Sequence, residues 1–227
     1  AQLEADLEAE QRGLPKFNGY LQAFRSRQVV LLCLQYAGWT IGIYGLAFWL
    51  PTIIKKASSQ GIGNTGLLTA VPYAAAVAAM IGISYWSDRT KIARTHTIWP
   101  LLIVSGVLFY ASSTIGSSGF LMSFVLLCLA CAAMYAPYGP YFAAISELLP
   151  RNVAGAAIAL VNSVGALGSF TGTYIIGWLT GDFGSEAAFL FLAGSLACSG
   201  LLLLLVPRPR TEAAVSAPAT ADRHTRV

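Results

Sequence analysis

Residues 95–146 read THTIWPLLIVSGVLFYASSTIGSSGFLMSFVLLCLACAAMYAPYGPYFAAIS, fifty-two residues without one Asp, Glu, Lys or Arg. A bilayer core about 30 Å thick is crossed by about 20 apolar residues in a helix, so this run is too long for one span and sufficient for two. Gly116-Ser117-Ser118-Gly119 supplies the turn between them. On either side lie four further uncharged runs, 28–54, 57–87, 152–181 and 187–207, each long enough for one span. The chain therefore predicts an all-α integral membrane bundle of six transmembrane helices. The spans fall at about 28–50, 65–86, 97–115, 120–145, 153–179 and 187–206. Composition agrees: 11% of the 227 residues are charged and the mean hydropathy is +0.64, against about 25% charged in a soluble domain.

The charges that remain sit at the ends and in short clusters. Residues 1–27 hold four acids and four bases and read as a cytoplasmic loop or tail with a short amphipathic approach to the membrane. They are polar and acidic, unlike a signal peptide, and the chain opens on Ala1 rather than Met, as expected of a piece of something longer. The first span ends at Leu50-Pro51, after Trp49, an aromatic suited to the interface. A linker follows, with Lys55 and Lys56. Residues 207–227, rich in Pro, Ala, Thr and Arg, read as a disordered cytoplasmic tail.

With six spans both termini share one side. That side carries Arg12, Lys16, Arg25, Arg27, Arg89, Lys91, Arg94, Arg151, Arg208, Arg210, Arg223 and Arg226; the other carries Lys55 and Lys56. Twelve against two places both termini in the cytoplasm by the positive-inside rule. The same rule accounts for the pI near 9.0, so no nucleic-acid partner is expected. Cys33, Cys128, Cys131 and Cys198 all lie inside spans and read as small packing residues rather than as a disulfide framework or a zinc site.

No Asp, Glu, Lys, Arg or His lies in the middle of any span. Proton relays and ion paths need such groups, an intramembrane serine protease needs a buried His, and a metal site needs ligands; none is expected, nor any cofactor. What remains is polar and neutral. Tyr36, Thr40 and Tyr44 follow an i, i+4, i+8 spacing on one face of the first span, either packing between helices or facing a water-filled cavity. Gln35 points about 100° away from them. In the fourth span Tyr135-Ala136-Pro137-Tyr138-Gly139-Pro140-Tyr141-Phe142 must kink or loosen the helix, which in transporters points to the binding site, although a packing kink alone has the same signature. The fifth span carries Gly168-xxx-Gly172, assigned to close packing within the bundle rather than to a dimer face, and Asn162, whose amide must either bridge helices or contact solute. Asp88-Arg89 at the end of the second span is either a topogenic charge cluster or a latch between helix ends.

Several of these stretches together resemble the C-terminal half, spans seven to twelve, of a major facilitator superfamily transporter, and within it the anion:cation symporter family of tartrate, phthalate and sugar-acid permeases. The resemblance covers about residues 20–206. It rests on Tyr44-Gly45-Leu46-Ala47-Phe48-Trp49-Leu50-Pro51, Ala70-Val71-Pro72-Tyr73, Ser87-Asp88-Arg89-Thr90, and the run from Leu149-Pro150 through Ala154-Gly155 to Leu160-Val161-Asn162-Ser163-Val164-Gly165. The fold it implies is one six-helix half of a twelve-span major facilitator fold. It places Tyr36 and Tyr44 on the first-span cavity face, Phe142 at the fourth-span aromatic position, Asn162 at the fifth-span amide, and Asp88 and Arg89 in a cytoplasmic gate; Thr40 and Tyr138 join the substrate-binding set by helical spacing.

The chain departs from the family where Ala166 replaces an Asn and where Gly172 is followed by Thr173 rather than proline. The family's anion-binding Arg and proton-coupling acids belong to the other half, in keeping with the empty list of buried charges here. The implied function is secondary active transport of a small organic anion, such as a sugar acid or tartrate, across a bacterial inner membrane. Its partners would be that anion, the lipid bilayer and an N-terminal six-span half that supplies proton coupling; no enzymatic activity is expected. The alternative is a self-contained six-span protein acting as a dimeric transporter or channel, or as a membrane scaffold.

Overall fold

A computed structural model describes residues 14, 17, 19–58, 62–90 and 92–207. The expectations placed on residues 1–13, on Lys16 and Lys91, on the side chains of Trp49, Lys55 and Lys56, and on the tail beyond 207 lie outside the described residues. All regular structure among the described residues is helical. A short helix α1 (Tyr20–Phe24) leads into α2 (Arg27–Ser58), α3 (Ile62–Arg89) and α4 (Arg94–Ile115). Then come a 3-10 turn (Gly116–Gly119), α5 (Phe120–Tyr135), α6 (Tyr138–Leu148), α7 (Arg151–Asp182) and α8 (Ser185–Leu204). Six candidate spans are long and apolar enough to cross a membrane, with α5 and α6 together forming the fourth. The chain is a multi-pass membrane protein.

The ends of these helices follow local chemistry. Leu149 is extended (φ −124°, ψ 145°) because a following proline disfavours helical backbone. This stops α6 at Leu148, and Pro150 caps the start of α7. Between α7 and α8 the chain reverses at Gly184, whose φ of 86° suits a residue without Cβ. The fourth span is more than kinked. It is broken after Tyr135: Pro137 becomes the N-cap of α6 and Pro140 falls in that helix's first turn, where its missing donor costs nothing. The first candidate span ends at Phe48, close to the Leu50-Pro51 end read from the sequence, while α2 itself continues through Pro51 to Ser58.

Lipid tails are as apolar as leucine, so helices in a bilayer are held by close packing and hydrogen bonds rather than by hydrophobic expulsion. The bundle is built that way around α2. In the first span 61% of the apolar window is buried, against 11% in the second. A Cβ added at Gly168 would lie 2.8–2.9 Å from the Ala37 carbonyl oxygen, Cα and Cβ, so α7 meets α2 backbone to backbone. Gly165 lies against Tyr36 and Thr40, and Gly172 against Ile41. The Gly168-xxx-Gly172 face is thus turned into the bundle.

On its other flank α2 meets α8. The Gln35 side-chain amide donates to Ser199 Oγ (2.9 Å), Ser199 Oγ donates to the Gln35 carbonyl (2.8 Å), and Ser195 Oγ donates to the Gly38 carbonyl (2.6 Å). Helices α4 and α8 approach through Gly106, set against the Ala193 carbonyl, and Gly200, set against the Trp99 carbonyl. Helix α4 is tied to α5 by Ser105 Oγ donating to the Ala130 carbonyl (2.8 Å), and by Ser112 and Ser123, each of whose hydroxyls donates to the other's carbonyl (2.7 and 2.8 Å). Cys131 is fully buried among these helices.

Candidate functional site

The break at Ala136-Pro137 brings a cluster of rings against the middle of α2. Tyr36 stacks on Tyr141 with centroids 5.3 Å apart and planes 9° from parallel, and meets Phe142 edge-on at 5.7 Å. Trp39 packs against Tyr138 at 4.9 Å. Three polar atoms in this cluster are committed to main chain. Trp39 Nε1 donates to the Met134 carbonyl (3.0 Å), the last turn before the break. Tyr141 OH donates to the Leu32 carbonyl (3.2 Å), and Thr40 Oγ1 lies 2.8 Å from the Gly165 carbonyl and 3.0 Å from that of Ala37. The Tyr36 and Tyr138 hydroxyls interact with each other.

The expected residues differ in burial. Tyr36, Thr40, Tyr138 and Phe142 are brought together, with Tyr36 and Thr40 buried under the α2–α7 crossing and Tyr138 and Phe142 half-buried. Tyr44, two turns beyond Tyr36, is 45% exposed. Asn162 is exposed on α7, and its amide has no hydrogen-bond partner among the described residues, so it does not bridge helices within this bundle. Eleven residues into α7, it stands about 17 Å from that helix's start, near the middle of a core about 30 Å thick.

At the membrane boundary one of the two expected charges, Asp88, joins helix ends. Asp88 and Arg89 are adjacent in sequence, yet Asp88 is held by Arg94, whose Nη1 donates to Asp88 Oδ1 at 2.7 Å. The same guanidinium donates from Nε to Glu147 Oε1 at 2.7 Å, tying the ends of α3, α4 and α6. Arg89 instead lies over the Tyr85 ring, 4.1 Å from its centroid. Arg94 and Glu147 were not singled out in the sequence; the signal that finds them is the meeting of three helix ends, fifty-three residues apart along the chain. Among the described residues no group of three His, Cys, Asp or Glu could hold a metal ion. A crevice lined by Gly42, Leu46, Phe109 and Met134 has no room for a water molecule, so it is a packing seam.

The site thus consists of a broken span, a neutral aromatic cluster against the middle of α2 and an ionic tie at one end of the bundle. The family model of the Major Facilitator Superfamily matches residues 2–173, and the chain belongs to that superfamily. Among similar proteins, one from Agrobacterium vitis named for tartrate transport is 32% identical over 87% of this chain and 43% of its own length. The metabolite transport protein NicT of Pseudomonas putida, as it is named, is 32% identical over 91% of this chain and 47% of its own. The inner membrane transport protein RhmT of Escherichia coli is 30% identical over 82% of this chain and 43% of its own. The chain spans less than half the length of each of these relatives, and all three are named as transporters, not as enzymes.

Proposed function

We propose that this bundle is the C-terminal six-span half of a secondary transporter that moves a small organic anion, a sugar acid, tartrate or related carboxylate, by alternating access across a bacterial inner membrane. The observation that carries the proposal is Asn162: an amide exposed near mid-bilayer with no partner among the described residues. Facing lipid it would cost several kcal/mol, so it faces a polar cavity. Tyr44, Tyr138 and Phe142 line the same cavity, while Tyr36 and Thr40 hold its wall against α7.

The relatives named for tartrate and metabolite transport support the solute class, and the one named as an inner membrane protein supports the location. The uneven count of Lys and Arg supports cytoplasmic termini. The N-terminal half supplies the anion-binding charge and proton coupling that the spans here lack. Two open faces suit its docking. Gly66, Ala70, Ala74, Ala78 and Gly82 repeat every fourth residue along α3, all exposed, and nothing stands within 4 Å of a Cβ at Gly66 or Gly82. On α7, Gly155, Ala159 and Ser163 continue the same pattern, also exposed. Small-residue rows of this kind let helices approach closely, as Gly165, Gly168 and Gly172 do within the bundle. Asp88, held by Arg94 with Glu147, acts as the cytoplasmic gate, and Arg89 stands beside it.

The test is a panel of organic acids bound to the transporter assembled from both halves. Asn162→Ala and Tyr44→Phe each remove a hydrogen bond to a charged ligand, about 1.5–3 kcal/mol, and should weaken binding about 10- to 150-fold. Unchanged binding in both variants means that the site lies elsewhere.

A further inference from the structure

The break in the fourth span has the covalent makings of a hinge. Pro137 and Pro140 carry no amide hydrogen, so the carbonyls of Ala133 and Ala136 find no donor four residues on, and backbone bonding alone leaves the angle between α5 and α6 loosely set. The packing around it is not that of a hinge. Ala136 and Pro137 are buried, and α2 runs past them with side chains on both arms. Trp39, wholly buried, donates from Nε1 to the Met134 carbonyl on α5 (3.0 Å). Its ring lies against Tyr138 (4.9 Å) and edge-on to Tyr141 (5.3 Å), both on α6. Tyr141, equally buried, donates its hydroxyl to the Leu32 carbonyl of α2 (3.2 Å) and stacks on Tyr36.

The two bonds are in register. Leu32 and Trp39 are seven residues apart on α2, and Met134 and Tyr141 are seven apart across the break, so α2 meets the span at two points about two turns apart, one on each arm. From the other flank α3 closes on the first turn of α6, where a Cβ added at Gly139 would overlap Ser84 Oγ. Opening the corner would strand an indole N–H, a phenolic hydroxyl and two carbonyls inside the bilayer, where no water replaces their partners. It would also part rings that now stack or meet edge-on.

We infer that the break is a fixed corner rather than a hinge, and that Trp39 is the positioning residue that fixes it. Its N–H grips one arm and its ring the other, which keeps Tyr138 in place at the cavity wall and gives α5 and α6 the same angle with and without solute. The inference rests on the transport proposed above and adds what keeps its site in shape. The experiment uses the assembled transporter freed of its native cysteines, with nitroxide labels at Ser146→Cys on α6 and Leu204→Cys on α8, two exposed positions. Helix α8 is the reference because Gln35 and Ser199 tie it to α2. Pulsed electron paramagnetic resonance reads the distance with and without saturating tartrate. A hinge turning by about 20° would carry the far end of the 11-residue α6 by about 5 Å. The expected result is one narrow distance that tartrate leaves unchanged to within about 2 Å, well short of that swing. The double variant Trp39→Phe with Tyr141→Phe keeps the rings and drops both bonds. Its distances should spread by about 5 Å, and its tartrate dissociation constant should rise about tenfold, because only a fraction of the molecules holds the corner ready. Saturating tartrate should then narrow the spread again, a response that a merely structural residue would not give.

Two distances in the unmutated protein, or a shift of about 5 Å on adding tartrate, would show a hinge and overturn the inference; this comparison stands even if the double variant fails to fold. A double variant with the narrow distance and the tartrate affinity of the unmutated protein overturns the role of Trp39. No binding of tartrate counts against the solute class proposed above and not against the corner, which the solute-free distances decide.

Discussion

Gly168→Ala is a one-carbon change whose consequence can be worked out from the α2–α7 crossing. The new Cβ would sit 2.8–2.9 Å from the Ala37 carbonyl oxygen, Cα and Cβ, where ordinary contact begins at 3.4 Å. These are main-chain atoms and a Cβ, with no flexible end to swing aside, so the helices must part by about 0.5–1 Å. A gap of that size forfeits about a quarter to a half of the dispersion energy of the contacts it opens, and overpacking of this kind costs about 1–3 kcal/mol. The Thr40 hydroxyl bond to the Gly165 carbonyl, 2.8 Å long and one turn away, would stretch as well and loses part of its ~1 kcal/mol. The expected destabilisation is about 2–3 kcal/mol, or about 30- to 150-fold in the unfolding equilibrium. The assay is reversible unfolding of the purified bundle in mixed micelles titrated with a denaturing detergent. The control is Gly194→Ala on the exposed side of α8, where nothing stands within 4 Å of the added carbon; it should be neutral within about 0.5 kcal/mol. If the two variants unfold alike, backbone contact at Gly168 is not what joins these helices.

The ionic tie and the buried amide yield further expectations. Arg94→Ala frees both Asp88 and Glu147; since those carboxylates are 65% and 57% exposed, each pair contributes about 0.2–1 kcal/mol. Solvent labelling of single cysteines at the Asp88 end of α3 and the Glu147 end of α6 should therefore rise a few-fold, while Arg89→Ala, which removes only a stack on Tyr85, should leave labelling unchanged; equal effects would contradict the assignment of the tie to Arg94. At the α2–α8 junction Ser199→Val should cost about 1–3 kcal/mol, because it strands a fully buried Gln35 amide. Gln35→Leu should cost less than 1 kcal/mol, because Ser199 keeps its bond to the residue-35 carbonyl and the buried, partnerless Gln35 Oε1 disappears. Detergent-denaturation midpoints decide the order, and the reverse order would contradict this reading of the junction.

The six spans were legible because membrane insertion is decided by length and by absence of charge, both of which are printed in the sequence. The Gly168-xxx-Gly172 face was legible for a related reason: small residues at that spacing have few uses besides close packing. Finer placement was harder. A straight-helix wheel puts Tyr36, Thr40 and Tyr44 on one face, yet α7 lies across only part of it, so Tyr36 and Thr40 are buried while Tyr44 stays open. The Pro137 break was visible as a weakness, but not that it would turn Tyr135 and Tyr138 into a stack. Which arginine takes Asp88 depends on where Glu147 ends up, fifty-three residues from Arg94, and no local spacing encodes that distance. Asn162 was ambiguous in sequence between helix bridge and cavity; only the packing of its neighbours shows that no helix of this bundle reaches it.

A six-helix bundle whose spans carry neutral rings and the amides of Gln35 and Asn162 can shape part of a pocket but holds no group that takes up and releases a proton there. Proton-driven uptake of organic acids into proteoliposomes tests this directly. The 227-residue chain alone should give background uptake, and the chain reconstituted with its complementary N-terminal six-span half should accumulate solute down an inward proton gradient. Robust accumulation by the 227-residue chain alone would contradict the division of labour between the two halves.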